Sequence, residues 1–219
     1  MSVQQTKFKE IADAIRAITG SSALIKPSAF ASQISSIGNS LKGIIDGSIT
    51  ELVIPEGTTT IRGWALYSCN ITSIAIPDSV TSVDRYAFAN CRKLTSAIIG
   101  NGLTSIINSM FESCISLTSI TIPDSVTSIG GYAFSECFSL TSVTIGNSVT
   151  NIGSRALYCG SSTKKATFIF NSTTPPTIQS DSFNASNINK IIVPAGCGDA
   201  YKAATNWSSF ASYIEEATV

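Results

Sequence analysis

Residues Leu117–Ser139 read LTSITIPDSVTSIGGYAFSECFS, and the fold follows from this stretch. It opens with strict alternation, Leu117-Thr-Ser-Ile120-Thr-Ile122, which puts Ile120 and Ile122 on one face of a strand. Pro123-Asp-Ser125 supplies a turn. A second short extended piece carries Val126 and Ile129, and a compact turn with Ala133, Phe134 and Cys137 follows, read as one turn of α- or 3₁₀-helix. Ile, Val, Ala, Phe and Cys then point into one coil. A single coil cannot bury that face alone, so neighbours must stack on it.

The neighbours are present in the chain. Ile71, Leu94 and Leu140 open segments of the same design at steps of 23 residues from Leu117, and a unit one residue shorter starts at Ile49. The stack runs from Ile49 to about Ser162, and stacking turns the aligned columns into ladders of Ile on Ile, Phe on Phe and Cys on Cys. Met110 departs from the pattern, standing where the other units have Ala65, Ala87, Ala133 and Ala156. Cys69, Cys91, Cys114, Cys137 and Cys159 recur at steps of 22, 23, 23 and 22. That regularity marks a repeat position, a small buried hydrophobe, rather than a disulfide framework or a CxxC metal or redox motif. Cys159 falls one place early, so the repeat loosens towards its end.

The segment LTSITIPDSVTSIGGYAFSEC strongly resembles the BspA-like leucine-rich repeat, a 23-residue class of bacterial surface proteins and phage-encoded proteins. The resemblance implies a right-handed, mainly β solenoid with short helical turns. It also implies use in binding, with no catalytic residues to carry over.

The flanks read as caps, giving three parts: residues 1–42 as a helical hairpin or cap, 43–162 as the solenoid, and 163–219 as degenerate repeats with an α/β cap. In the first part Phe8, Ile11, Ala12, Ile15 and Ile18 form an apolar helical stripe ended by Gly20. A second helix from Pro27 or Ser28 carries Phe30, Ile34 and Ile37. The segment KFKEIADAIRAITGSSALIKPSAFASQISSI resembles a module at the start of tail-associated proteins of phages and prophages, which implies docking or self-association beside capping. In the last part Ala166–Phe170 and Ile188–Val193 read as strands, with Thr174–Thr177 as a rigid loop and Ser182-Phe183 echoing the Ala-Phe position. Asp199–Ala204 and Trp207–Ile214 read as short helices whose Tyr201, Trp207, Phe210 and Ile214 cover the last coil. This ending, too, resembles the terminus of BspA-like proteins. Sugar binding by Tyr201 and Trp207 is the competing reading to capping.

Composition narrows the function. Lys plus Arg and Asp plus Glu are both 14, charged residues are 13%, Ser and Thr make up about a quarter of the chain, and there is no histidine. Zero net charge argues against nucleic-acid binding. Without His, Ser-His-Asp and Cys-His catalysis and His-ligated metals are excluded. No cofactor, metal or catalytic residue is expected. Asp78 and Asp124 belong to equivalent turns, and Glu112 and Glu136 lie on successive coils without forming an activated pair. No apolar run is long enough for membrane insertion. The charged N-terminus reads as a chain made in the cytoplasm without a classical signal.

Candidate recognition residues lie in columns. On the outward side of the strands, Val53, Ala75 and Ile98 make a mildly apolar strip where later coils have Thr121 and Thr144. Beside the compact turn stand Trp64, Tyr86, Ser109, Tyr132 and Arg155, rich in residue types favoured at binding hot spots. The bland alternative is that these side chains only shield the coil edge. The expectation is a non-enzymatic binding protein that contacts a protein or glycan on a cell surface. Its setting is either a phage or prophage tail or a bacterial surface adhesin.

Overall fold

The computed structural model describes residues 50–54 and 57–218. The expected N-terminal hairpin, with its docking or self-association role, lies outside the described residues, as does most of the lead-in to the first coil. Each coil contributes a longer and a shorter strand. In chain order these are β1 (Glu51–Val53) and β2 (Thr60–Ile61), β3 (Ser73–Ile76) and β4 (Ser82–Val83), and β5 (Ser96–Ile99) and β6 (Ser105–Ile106). They continue with β7 (Ser119–Ile122) and β8 (Ser128–Ile129), β9 (Ser142–Ile145) and β10 (Asn151–Ile152), and β11 (Ala166–Phe170) and β12 (Thr177–Ile178). β13 (Ile188–Val193) and β14 (Ile214–Glu216) complete the set. The odd-numbered strands and β14 form one eight-stranded sheet in the order β1-β3-β5-β7-β9-β11-β13-β14, and its neighbours pair in parallel. The short strands form two smaller parallel sheets, β2-β4 and β6-β8-β10-β12. The molecule is a mostly β solenoid.

Alternation does what the sequence predicts. Ile120 and Ile122 are buried while Ser119 and Thr121 are exposed. Register is integral, Ser119 opposite Ser142 and Ile122 opposite Ile145, so equivalent side chains stack. Phe88, Phe111 and Phe134 lie nearly parallel, with centroids 5.2 and 5.6 Å apart. Met110 is fully buried in the Ala column.

The compact turn is not helical. In each coil its N–H groups alternate in use. The Ala65, Tyr67 and Cys69 amides close local turns onto Arg62, Trp64 and Leu66, whereas those of Leu66 and Ser68 reach the next coil at Ala87 and Ala89. A helix would carry its local bonds on consecutive amides, not on every second one. Two residues in each of four coils and one in the fifth take the left-handed conformation that the alternation requires: Trp64, Tyr86, Ser109, Tyr132 and Arg155, then Ser68, Asn90, Ser113 and Glu136, all with φ between 51° and 63°. Each is the third residue of a four-residue turn, where a type II turn needs positive φ.

The threonines do more than face water. The Thr95 hydroxyl donates to Thr72 O at 2.9 Å, and Thr118 and Thr141 repeat the bond one and two coils on, each at 3.2 Å. Thr127, Thr150 and Thr177 form a second such row. Thr177 therefore begins strand β12 instead of ending a loop, because it continues this row.

The third coil is the irregular one. β4 and β6 are not paired, and β5 meets β7 only at Ser96 and Ser119. At this coil Ala97 stands where Ile74, Ile120 and Val143 fill the core, and Pro123, like Pro77, has no N–H for the rung that Gly100 makes to Ile76 O. Gly102 belongs to the same coil. A Cβ there would lie 2.1 Å from Asp78 O, so the backbones approach as only glycine allows.

At the C-terminal end α1 (Gly198–Ala203) and a 3₁₀-helix (Ser208–Tyr213) close the last coil. Tyr201, Trp207, Phe210 and Ile214 are buried. The Tyr201 hydroxyl donates to Ser172 O and the Trp207 Nε1–H to Pro176 O, both at 2.8 Å. This corrects the sugar-binding reading of these two residues, whose rings and polar tips are spent inside the protein. Phe183 packs against Phe168, Trp207 and Phe210 and bridges to Leu157, in keeping with its Ala-Phe echo.

Candidate functional site

The turn column begins at backbone level. Its residues stand at the same left-handed position in successive coils, so their side chains leave the solenoid in the same direction. Trp64 is 57% exposed, and its ring stacks on Tyr86 with centroids 4.4 Å apart and planes 21° apart. Tyr67, also exposed, tilts against Trp64 at 4.8 Å. Ser109 then interrupts the aromatic column, being short and buried. Beyond it Tyr132 and Arg155 form a second group. The Arg155 guanidinium lies over the rings of Tyr132 and Tyr158, 5.9 and 5.6 Å from their centroids, and 3.7 Å from the Asp181 carboxylate. Arg155 is thus engaged by its own neighbours, while Trp64, packed against Tyr67 and Tyr86, stays more than half exposed.

Beside the Trp64 group lies a shallow hollow of about 280 Å³, lined by Trp64, Tyr67 and Tyr86 with Asn90, Arg92 and Glu112. Asn90 is fixed on both sides, donating to Ser68 Oγ and accepting from Arg92 Nε at 2.8 Å. Ser113 donates to Glu136 at 2.8 Å. Composition alone did not single out Tyr67, Asn90, Arg92 or Ser113. Their signal was positional: Asn90 and Ser113 occupy the second left-handed column, four residues after Tyr86 and Ser109.

The strand column is separate. Ala75 is exposed and in register with Val53 and Ile98. Ile98 is 65% exposed at the rim of a second hollow, lined by Ala97, Ile120, Thr121 and Pro123 where β5 and β7 part. The two hollows share no residue.

The cysteines form an internal column in which Cys91, Cys114, Cys137 and Cys159 are buried and free of disulfides. The thiols of Cys91, Cys114 and Cys137 donate to carbonyls of the preceding coil, Leu66, Phe88 and Phe111, at 3.0–3.2 Å. Burial raises all five thiols, Cys69 to about 11 and Cys159 to about 12, the opposite of an activated nucleophile. The early Cys159 still reaches the core, and Gly160, with φ 70°, absorbs the shift. Among the described residues no group of three or more His, Cys, Asp or Glu is placed to hold a metal. No helix of the described part is long and apolar enough to cross a membrane.

A family profile described as BspA type leucine rich repeat region matches residues 20–114 and 84–209. The chain belongs to this family. Its 23-residue coils, with a Phe and a Cys ladder, are BspA-type repeats. A comparison with curated proteins finds no match. Among solved structures, the leucine-rich repeat protein of T. pallidum is 31% identical over 55% of this chain and 58% of its own, with a TM-score of 0.51. A leucine-rich cell surface protein of Faecalibacterium prausnitzii is 26% identical over 78% of this chain and 36% of its own, with a TM-score of 0.52. The pneumococcal vaccine antigen PcpA shares the fold at 20% identity and a TM-score of 0.64. The chain thus spans 58% and 36% of the length of the first two. BspA-type repeat proteins are generally surface or binding proteins.

Proposed function

We propose that this BspA-type repeat protein is a non-enzymatic recognition protein that binds a cell-surface component through the Trp64–Tyr67–Tyr86 corner. One observation carries the reading. Trp64 is a large exposed aromatic, held by stacking and by a fixed backbone conformation, on a chain that buries its other Trp completely. Rigid exposed Trp and Tyr bring large contact area at little entropic loss, which is why they dominate binding hot spots. The perturbed ionisable groups on the described chain have structural causes, a buried thiol column, a buried Tyr201 and the Glu216 carboxylate bonded to Gly196 and Gly198 amides. None of them makes a catalytic constellation.

The fluorescently labelled full chain is measured on intact bacteria and on host cells. Trp64→Ala with Tyr86→Ala abolishes binding and leaves the melting temperature within a degree or two, while Tyr132→Ala changes binding little. Unchanged binding by the double variant would sink the assignment of the corner.

The setting has two readings. A phage or prophage tail rests on the resemblance carried by residues 7–37, and virion proteomics tests it: absence from purified particles counts against it. A surface or secreted adhesin is supported by the name of the F. prausnitzii relative. Protease shaving of intact cells that never releases the protein counts against that one.

A further inference from the structure

We infer that the third coil, which carries β5 and β6, is a rocking joint that divides the solenoid into two arms. The coil leans on a different neighbour on each side. Its long strand β5 pairs with β3 of the second coil at four positions, but with β7 of the fourth coil only at Ser96. Its short strand does the reverse: β6 pairs with β8 of the fourth coil at both positions, and β4 of the second coil lies in a separate sheet. The crossover falls in the turn between the two strands, Gly100-Asn101-Gly102-Leu103. The Asn101 amide donates to Asp78 Oδ1 of the second coil at 2.6 Å, whereas Leu103 O accepts from Ser125 Oγ of the fourth at 2.7 Å. Two bonds of a regular coil are missing there. The amides of Val80, Val126 and Val149 close the equivalent turns onto Pro77, Pro123 and Gly146, and no such bond joins Leu103 to Gly100. Thr81, Thr127, Thr150 and Thr177 each donate an amide and a hydroxyl to a Thr carbonyl of the preceding coil, and Thr104 makes neither bond to Thr81.

The third side of the coil is the pivot. Its compact turn stays bonded to both neighbours. The Phe88 and Asn90 amides reach Met110 O and Glu112 O, and those of Ser109, Phe111 and Ser113 reach the Gly131, Ala133 and Ser135 carbonyls. Phe111 remains stacked between Phe88 and Phe134. With one side held and a gap on each of the other two, towards opposite neighbours, the motion left open is a tilt. Tilting the other way closes β4 on β6 and β5 on β7 while β3–β5 and β6–β8 loosen. One set of ladder bonds replaces another, so the two positions differ little in free energy. The residues of this coil suit the motion. Glycine flanks Asn101 on both sides where the second and fourth coils have Pro-Asp-Ser, so the crossover turn is the freer one. Met110, unbranched and buried in the Ala column, repacks as the coil moves. The hollow rimmed by Ile98 is the gap between β5 and β7, and the tilt opens and closes it. The same tilt sets the angle between the arm carrying Trp64 and Tyr86 and the arm carrying Tyr132 and Arg155.

Amide hydrogen exchange and NMR relaxation dispersion on the full-length protein test the joint. Leu103 and Thr104 exchange roughly tenfold or more faster than Val126 and Thr127 or Val149 and Thr150. Dispersion on the microsecond to millisecond scale appears at Ile99 and Thr121 beside one gap and at Ser82 and Thr104 beside the other. The Phe111 and Ser113 amides on the pivot stay protected. Ser82→Cys with Ser105→Cys, oxidised to a disulfide, then holds β4 on β6. A coil that rocks as one body loses its dispersion at Ile99 and Thr121 as well, on the side away from the bridge, and regains it on reduction. Flat dispersion in the unmodified protein overturns the inference, and so does a bridge that quiets only the residues beside it. A bridge that does not form in the folded protein also overturns it, because the tilt is what brings β4 within reach of β6.

Discussion

At the scale of single residues, the left-handed turn positions decide how the coils join. Nine non-glycine residues from Trp64 to Arg155 hold positive φ in two columns. Each costs about 1–2 kcal/mol for a residue with a Cβ, and the amide of the residue at or two beyond such a position repeatedly reaches the next coil. Ser, Asn and aromatic residues are tolerated there, but a β-branched side chain is not. Ser113→Val should therefore lower stability by about 1–3 kcal/mol, read by urea unfolding, although Ser113 is only half-buried. Phe134, fully buried and stacked on Phe111, fails differently. Phe134→Ala removes a ring from a ladder that cannot collapse in one coil alone, and should cost about 3–5 kcal/mol. A loss below about 1 kcal/mol in the same measurement would show that the ladder tolerates a gap.

At the scale of elements, the columns are the units of stability. The thiol column is the one with a pH signature. Folding raises these thiols above the unfolded value of 9.0, to about 11 for Cys69 and about 12 for Cys159. The folded state keeps the neutral thiol while the unfolded chain ionises. The contribution is therefore complete below pH 9 and is lost as pH rises from 9 through those folded values. Melting temperature should be flat from pH 7 to 8.5 as far as the thiols set it, then fall. In Cys114→Ala with Cys137→Ala the alkaline slope should be shallower from a lower starting point; an unchanged slope would assign the alkaline loss to other groups. The third coil shows the same dependence on columns from the other side. There β5 pairs with β7 only at Ser96, in the coil where Ala97 stands in place of an inward Ile.

At the scale of the whole molecule, a solenoid is stable only if its ends are closed. The C-terminal closure is dense: Phe170, Phe183, Tyr201, Trp207 and Phe210 form one aromatic cluster. Lys190 and Glu215 add an exposed ion pair worth little by comparison. Trp207→Ala should cost about 3–5 kcal/mol and, by loosening the cover on the last strands, promote aggregation through the sheet edge. Analytical ultracentrifugation checks the second effect, and a variant that unfolds early yet stays monodisperse would show that the β14 edge does not drive association.

Legible in the residues alone were the solenoid, its 23-residue period, the inward and outward faces, the Phe and Cys ladders and most of the C-terminal strands and helices. All of these follow from local alternation repeated at a fixed step, and a repeat carries its long-range contacts in its own spacing. It also pointed to Trp64, Tyr86, Tyr132 and Arg155 as one column. The packing of neighbouring coils is what splits this column at Ser109, engages Arg155 with Tyr132, Tyr158 and Asp181, and leaves Trp64 exposed beside Asn90 and Arg92. It also replaced the expected helical turn by alternating local and inter-coil bonds. The reason is physical. The period fixes which residues are neighbours, but side-chain length, ring orientation and the partner of each backbone amide depend on the coil above and the coil below.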